Sequence, residues 1–338
     1  MKHKLILLIT LFANVGLFAQ TKVALHHSGT VSFYDGISGF TSAYSNAANG
    51  DTIYLPGGFF NPQGTIDKSL TIYGAGHYPD STLATEKSVF TGGFYIGENA
   101  DNLYLEGFQV SGDITFSTNA SVNNVRIIRC RLSTLNYDGD YSNPCVNNFI
   151  LNNVIDGSVY GSNAQSLLLS NNIIAGKLFN MNTNVIQNNI LMADYYNGWP
   201  YYSTQSMINF NNSTIKNNVI FCTDPNAITG TGNFVKNNAF NSNWNTGSNI
   251  ATGNYLSIAL STFFTNQTGN SFNYSHNYHL QNATTYLGDD ATEISIYGGS
   301  WGYKEGAVPS NPHIISKSIS QQTNSNGEIN INIRVKAQ

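Results

Sequence analysis

The sequence predicts an all-β chain built as a solenoid of short stacked strands. Three observations carry that expectation. A doubled Asn recurs between apolar pairs, as in FILNNVIDG, LLLSNNIIAG, VIQNNILMA, TIKNNVIFC and FVKNNAFNS. With the second Asn as anchor, the copies fall at Asn153, Asn172, Asn189, Asn218 and Asn238, and LYLEGFQVSG and RIIRCRLST align with Phe108 and Cys130 in that place. Successive intervals are 22, 23, 19, 17, 29 and 20 residues, a period that marks units able to bury their apolar faces only by stacking.

The columns around the anchor are the second observation. Three positions before it stand Leu105, Ile127, Ile150, Leu169, Ile186, Ile215 and Val235; two after it stand Val110, Leu132, Ile155, Ile174, Leu191, Ile220 and Phe240. Four after it the residues are small: Gly112, Thr134, Gly157, Gly176, Ala193, Cys222 and Ser242. Two before it the column varies freely, from Glu106 and Ile128 through Ser170 to Lys216 and Lys236, which predicts an outward face. Composition is the third. Charged residues make up 10% of the 338, against about 25% in ordinary domains, while 12% are aromatic, so the chain is no disordered polar tract. Lys+Arg 15 against Asp+Glu 19 gives a net charge of −4, with no basic stripe for nucleic acid.

The elements follow in order. Residues 1–20 read as a signal peptide: Lys2, His3 and Lys4 precede an apolar run from Leu5 to Phe18 that is short for a membrane span, and Ala19 is small. Cleavage near Gln20 would leave no membrane span and would place the protein outside the cell, at its surface or in a periplasm. No Cys near the junction suggests a lipid anchor. Residues 21–52 form an N-terminal cap. Phe40, Ala43, Tyr44 and Ala47 share one face of a helix, with Ser38 as its cap and Asn49-Gly50 as its end. Residues 53–282 are the coils. Residues 283–338 leave the repeat and form a C-terminal cap, in which Ile329, Ile331, Ile333 and Val335 alternate as a half-buried strand of a hairpin laid over the last coils. Cys130, Cys145 and Cys222 fit no zinc or redox spacing and read as buried free thiols.

Asn is a poor residue for a strand interior, so its recurrence needs a physical reason. At a bend between strands Asn tolerates the left-handed backbone, which places the anchor column there. Phe108 and Cys130 in the same column imply that it points inward, where stacked amides hydrogen-bond along the axis. The five anchor Asn residues are therefore scaffold.

With inward Asn ladder, coil period and helical cap together, the chain resembles the single-stranded right-handed parallel β-helix of the pectin-lyase-like superfamily over roughly residues 50 to 300. The resemblance implies a fold more strongly than an activity, because many functions share this scaffold. A pectate lyase would carry an Asp-His pair after a Trp-Ile strand and an Arg near a Pro; a polygalacturonase would carry Asn-Thr-Asp, Gly-x-Asp-Asp and Gly-His-Gly. Neither set is present; the paired Asp289 and Asp290 follow Leu-Gly in the C-terminal region.

Candidate chemistry remains. Arg129 and Arg131 share a coil with Arg126, followed by Asp138 and Asp140. A uronate lyase needs a base near C5 and a cation to neutralise the carboxylate, which Arg129 or Arg131 would supply, with calcium on Asp138 and Asp140. No cofactor is expected unless the chain is such a lyase. The simpler reading pairs these Arg residues with nearby acids. Lys216 and Lys236 stack one coil apart, which predicts either a bridging anion or a solubilising surface. His276 and His279 flank an aromatic loop, with no carboxylate at ligand spacing. The 29-residue interval holds the insertion ADYYNGWPYYS, whose Tyr195, Tyr196, Trp199, Tyr201 and Tyr202 are a candidate platform for a polysaccharide or cell-surface glycan. The leading expectation is a secreted, carbohydrate-associated β-helix protein, with a glycan-binding or surface role, whose own catalysis is unproven. Its rivals are a polysaccharide lyase or glycoside hydrolase with a diverged site, and a structural or adhesive surface protein.

Overall fold

A computed structural model describes residues 21–118, 120–139, 142–192, 207–222 and 226–336. It is a parallel β-solenoid of about 9 turns. Three sheets run along it, of twelve, nine and seven strands. In the first sheet each strand pairs with its copy in the next coil, so that Ile127 opposes Ile150, Ile150 opposes Leu169 and Leu169 opposes Ile186. Both expected apolar columns point inward and are buried along their length. The third sheet closes the core with stacked rings, Phe116 lying on Tyr137 at 4.0 Å. In the small column, a Cβ added at Gly176 would stand 2.4 Å from the backbone of Gly157, so successive coils approach there too closely for a side chain.

The cap at the first coil carries the helix Gly39–Asn46, with Phe40, Ala43, Tyr44 and Ala47 buried against the core as the pattern requires. Ser38 makes no side-chain capping bond, and the helix stops at Asn46, before Asn49-Gly50. Lys68 Nζ instead donates to the carbonyls of Tyr44 and Ala47, both at 2.7 Å, and so satisfies the C-terminal end. An antiparallel hairpin, Lys22–His27 with Thr30–Asp35, joins Thr52–Tyr54 and finishes the first sheet, which the coil pattern did not indicate.

The doubled Asn divides its work in a way that corrects the expected placement. The left-handed residue is the first of each pair: φ is 58° at Asn152, Asn171 and Asn217, 54° at Asn188 and 53° at Asn237. Gly107 and Arg129 hold the same position, also at positive φ. The second Asn forms the ladder. The backbone N–H of Asn153 donates to Oδ1 of Asn172 at 2.8 Å, that of Asn172 to Asn189 at 2.9 Å, and that of Asn189 to Asn218 at 2.8 Å. The stack continues through Asn238 to Asn254, one coil beyond the recognised repeat. A second ladder stands five residues earlier, where Asn184 caps Leu167, Ser213 caps Asn184, Asn233 caps Ser213 and Asn249 caps Asn233. Amide stacks thus bracket the first sheet at both of its bends.

The C-terminal region departs most from expectation. After the last strand of the first sheet, Ile250–Thr252, the chain covers the outside of the second sheet. There Phe263, Phe264, Phe272, Tyr278, Ile294 and Ile296 pack on the outward side chains of Val154, Ile173, Ile190, Val219 and Ala239 as a second core. Residues 287–310 then run back along the flank as a strap. The first Asn of each doublet holds it: Asn237 Nδ2 donates to the Leu287 carbonyl, Asn188 to Ser295, Asn171 to both Ile296 and Gly298, and Asn152 to Trp301. Beneath the strap Ser170 is buried, although its column was expected to face solvent. The hairpin His313–Ile319 with Ile331–Lys336 forms, but it starts where Pro309 meets Gly107, far from the last coils. Ile329, Ile331, Ile333 and Val335 are each more than half exposed, because the strap has carried the chain away from the surface they would have covered.

This arrangement gives a first expected result. Asn171→Gly keeps the positive φ but removes both strap bonds, and Asn171→Ala adds a left-handed strain of about 1 kcal/mol. Both variants should unfold at lower urea than the parent, with the Ala form the weaker. Equal midpoints for Ala and Gly would show that the backbone does not need the left-handed state.

Candidate functional site

The site grows from the two aligned coils in which the anchor column is not Asn, those of Phe108 and Cys130. Arg129 occupies the left-handed corner, and its Nη1 donates to Oε1 of Glu106, which is completely buried one coil earlier. Two other groups complete that carboxylate. The Tyr104 hydroxyl donates to Oε2 at 2.7 Å, and Ser310 in the strap donates through its backbone N–H at 2.8 Å and its hydroxyl at 2.7 Å. A buried carboxylate holds only when it is paired and hydrogen-bonded, and here four donors converge on it. Burial first, then the adjacent Glu106 charge, push the Tyr104 phenol well above its ordinary range, so it remains a donor.

Beside this corner lies a cleft of about 230 Å³, lined by Tyr104, Ile128, Arg129 and Asn152 from the coils and by Trp301 and Lys304 from the strap. Asn152 positions the strap residues: its Nδ2 donates to the Trp301 carbonyl at 2.8 Å, and its Oδ1 accepts from the Lys304 N–H at 3.2 Å. Trp301 is 48% exposed. Arg129 Nε is buried without a hydrogen-bond partner, and among the described residues no carboxylate pairs with Lys304. The cleft therefore combines an aromatic face with two cations, one of them unneutralised. That suits a flat, anionic ligand.

The other sequence candidates do not meet at this point. Arg131 turns to the second sheet's outer face, where it grips Asp156 at 2.8 and 3.2 Å and lies over the rings of Tyr274 and Phe272. Asp138 accepts from the Thr118 hydroxyl and the Gly139 N–H, while Asp140 lies outside the described residues. Among the described residues no group of three His, Cys, Asp or Glu side chains is placed to hold a metal ion. The aromatic insertion with Tyr195, Tyr196, Trp199, Tyr201 and Tyr202 also lies outside the described residues. Lys216 and Lys236 do share an anion, but it is the protein's own Asp289, at 3.1 and 2.6 Å. All three cysteines are buried.

Sequence reasoning passed over Trp301 and Lys304. The signal was present in SWGYKEG, an aromatic and charged stretch flanked by glycines. Nothing in the coil period showed which coil it would cross. Comparison with protein-family models, with curated proteins and with solved structures finds no significant match. Fold and site together define a class, a parallel β-helix protein with a strap-built cleft on its flank.

Proposed function

We propose that this is a secreted β-helix protein of the pectin-lyase-like kind that binds an acidic polysaccharide at the Trp301 cleft. The observation that carries the reading is the half-exposed indole beside Arg129 and the unpaired Lys304. A pyranose ring offers an apolar face for stacking, and a uronate or sulfate group offers the charge that the two cations answer. The basic start and short apolar run of residues 1–20 support export to where such polymers occur. The tyrosines and Trp199 of the aromatic insertion are residue types that stack on sugar rings. Arg129 serves here as a binding group: its guanidinium is tied to Glu106, and the superfamily's lyase and hydrolase motifs are missing.

The test is binding of the mature protein to uronate-containing, sulfated and neutral polysaccharides at low and moderate salt. Trp301→Ala should weaken binding of an acidic polymer by about tenfold or more, the worth of a good aromatic contact, with little change in melting temperature because the ring is half exposed. Lys304→Ala should weaken binding mainly at low salt. Equal affinity for neutral and acidic polymers, or unchanged affinity in Trp301→Ala, would refute the site. The lyase reading attaches to the same cleft and predicts unsaturated, ultraviolet-absorbing products from a uronate polymer with added calcium, lost in Arg129→Ala. Absence of products from a polymer that binds supports the binding role.

A further inference from the structure

The strap lines a second pocket on its opposite side. Trp301, Gly302 and Lys304 face the basic cleft, while Tyr303, Glu305 and Gly306 line a cavity of about 280 Å³. Tyr78 and Asp80 from an early loop complete it, together with Tyr274, His276 and Tyr278 from the layer over the second sheet, and Tyr297 from the strap. Five tyrosines from three distant segments thus surround one small space.

Their hydroxyls are largely committed within the protein. Tyr78 and Tyr303 share a hydrogen bond at 2.8 Å, Tyr274 donates to the His77 carbonyl at 2.9 Å, and Tyr278 pairs with His276 Nδ1 at 3.1 Å. The rings brace one another as well: Tyr78 meets Tyr274 edge-on at 4.7 Å, and Tyr297 stacks on His279 at 3.8 Å. Besides His276 and Asn277, what the pocket offers a ligand is therefore ring surface and two carboxylates. Glu305 is held by His279 at 2.9 Å, and Asp80 is exposed with no ion pair among the described residues. Among the described residues no lysine or arginine lines the pocket. The faces of tyrosine rings are negative, so rings plus carboxylates favour a cation over a neutral sugar, which would need free hydroxyl partners. The cluster already uses this chemistry, since Arg131 and Lys87 lie over the Tyr274 ring at 5.0 and 5.7 Å.

We propose that the tyrosine pocket binds a small organic ammonium group, with Asp80 and Glu305 balancing its charge. The group is either a free alkylammonium or the protonated amine of an amino sugar, and the ligand series separates the two. This inference is independent of the acidic-polymer site, whose ligand carries the opposite charge.

Calorimetric titration of the full chain at neutral pH tests it, with choline, its neutral isostere 3,3-dimethylbutanol, glucosamine and glucose as ligands. At least one of choline and glucosamine should bind at least about tenfold more tightly than its neutral counterpart, as desolvated cation–π contacts allow. Choline assigns the alkylammonium source, glucosamine the amino sugar. Asp80→Asn, at an exposed position, should weaken the binding several-fold without moving the melting temperature. Tyr297→Leu should abolish it; if that variant is poorly folded, Asp80→Asn alone decides. Equal binding of each cation and its neutral counterpart, no cation binding up to about 10 mM, or unaltered affinity in Asp80→Asn would overturn the proposal.

Discussion

Asn172→Asp should cost about 3–5 kcal/mol, the range seen when a buried polar pair is broken to leave an uncompensated charge. Oδ1 of Asn172 accepts from the N–H and the Nδ2 of Asn153, and its own Nδ2 donates to the Ile150 and Ser170 carbonyls and to Oδ1 of Asn189. Aspartate puts a second oxygen where the amide nitrogen faces three acceptors. Protonation would restore one donor, so the variant's carboxyl titrates above its unfolded value. Its penalty is greatest at neutral pH and shrinks as pH falls through that raised folded value. The matched control is Asn332→Asp on the exposed hairpin, expected within about 0.5 kcal/mol of the parent. Ser170 cannot serve as an exposed control, since the strap buries it. Denaturant midpoints decide: similar midpoints for the two Asp variants would show that the ladder carries no stability.

Acid should loosen the strap at its start. Burial pushes the Asp289 carboxyl up, but hydrogen bonds from Lys236, Asn217 and Lys216 outweigh it and hold it at about 2, below the ordinary 3.8. A depressed folded value means that the stabilisation is fully present above about pH 4 and disappears as pH falls through about 2. Solvent screens this partly exposed cluster, which brings the worth of the shift down to about 1 kcal/mol. Asp289→Asn should lose that amount at neutral pH, leaving two lysines without their shared anion, and its stability should change less than the parent's between about pH 4 and 2. Urea unfolding at several pH values measures both effects. Parallel pH profiles for parent and variant would remove Asp289 from the account.

How far the sequence reached follows from which interactions are periodic. Apolar columns, the small column and the Asn anchors repeat because each coil meets its neighbours in the same way, so alignment reveals them. The same alignment missed the second ladder, where Leu103, Val125 and Leu167 alternate with Asn148, Asn184 and Asn233 and blur the column. It also gave the left-handed state to the wrong member of the doublet, since adjacent Asn residues cannot be told apart by spacing alone. The strap was illegible for a different reason. It crosses the coils against the repeat direction, so Asp289 meets Lys216 at a separation of 73 residues, and Trp301 meets Asn152 at 149. Lys216 and Lys236 did signal a missing anion. Only the fold could show that the chain supplies it. The cleft depends on the same crossing, which is why Arg129 was visible as a candidate while its partners Glu106, Trp301 and Lys304 were not.

Amide hydrogen exchange of the strap in the parent and in a variant with Asn152, Asn171 and Asn188 all changed to Gly tests most directly whether the outward Asn column builds the flank. In the parent, the strap amides of Asp289, Ser295, Lys304 and Ser310 donate to coil residues and should exchange slowly. In the variant, Ser295 and Lys304 should lose protection while the inner ladder amides of Asn153 and Asn172 keep theirs. Unchanged protection at Ser295 and Lys304, or loss spread equally through strap and ladder, would contradict the division of labour within the doublet.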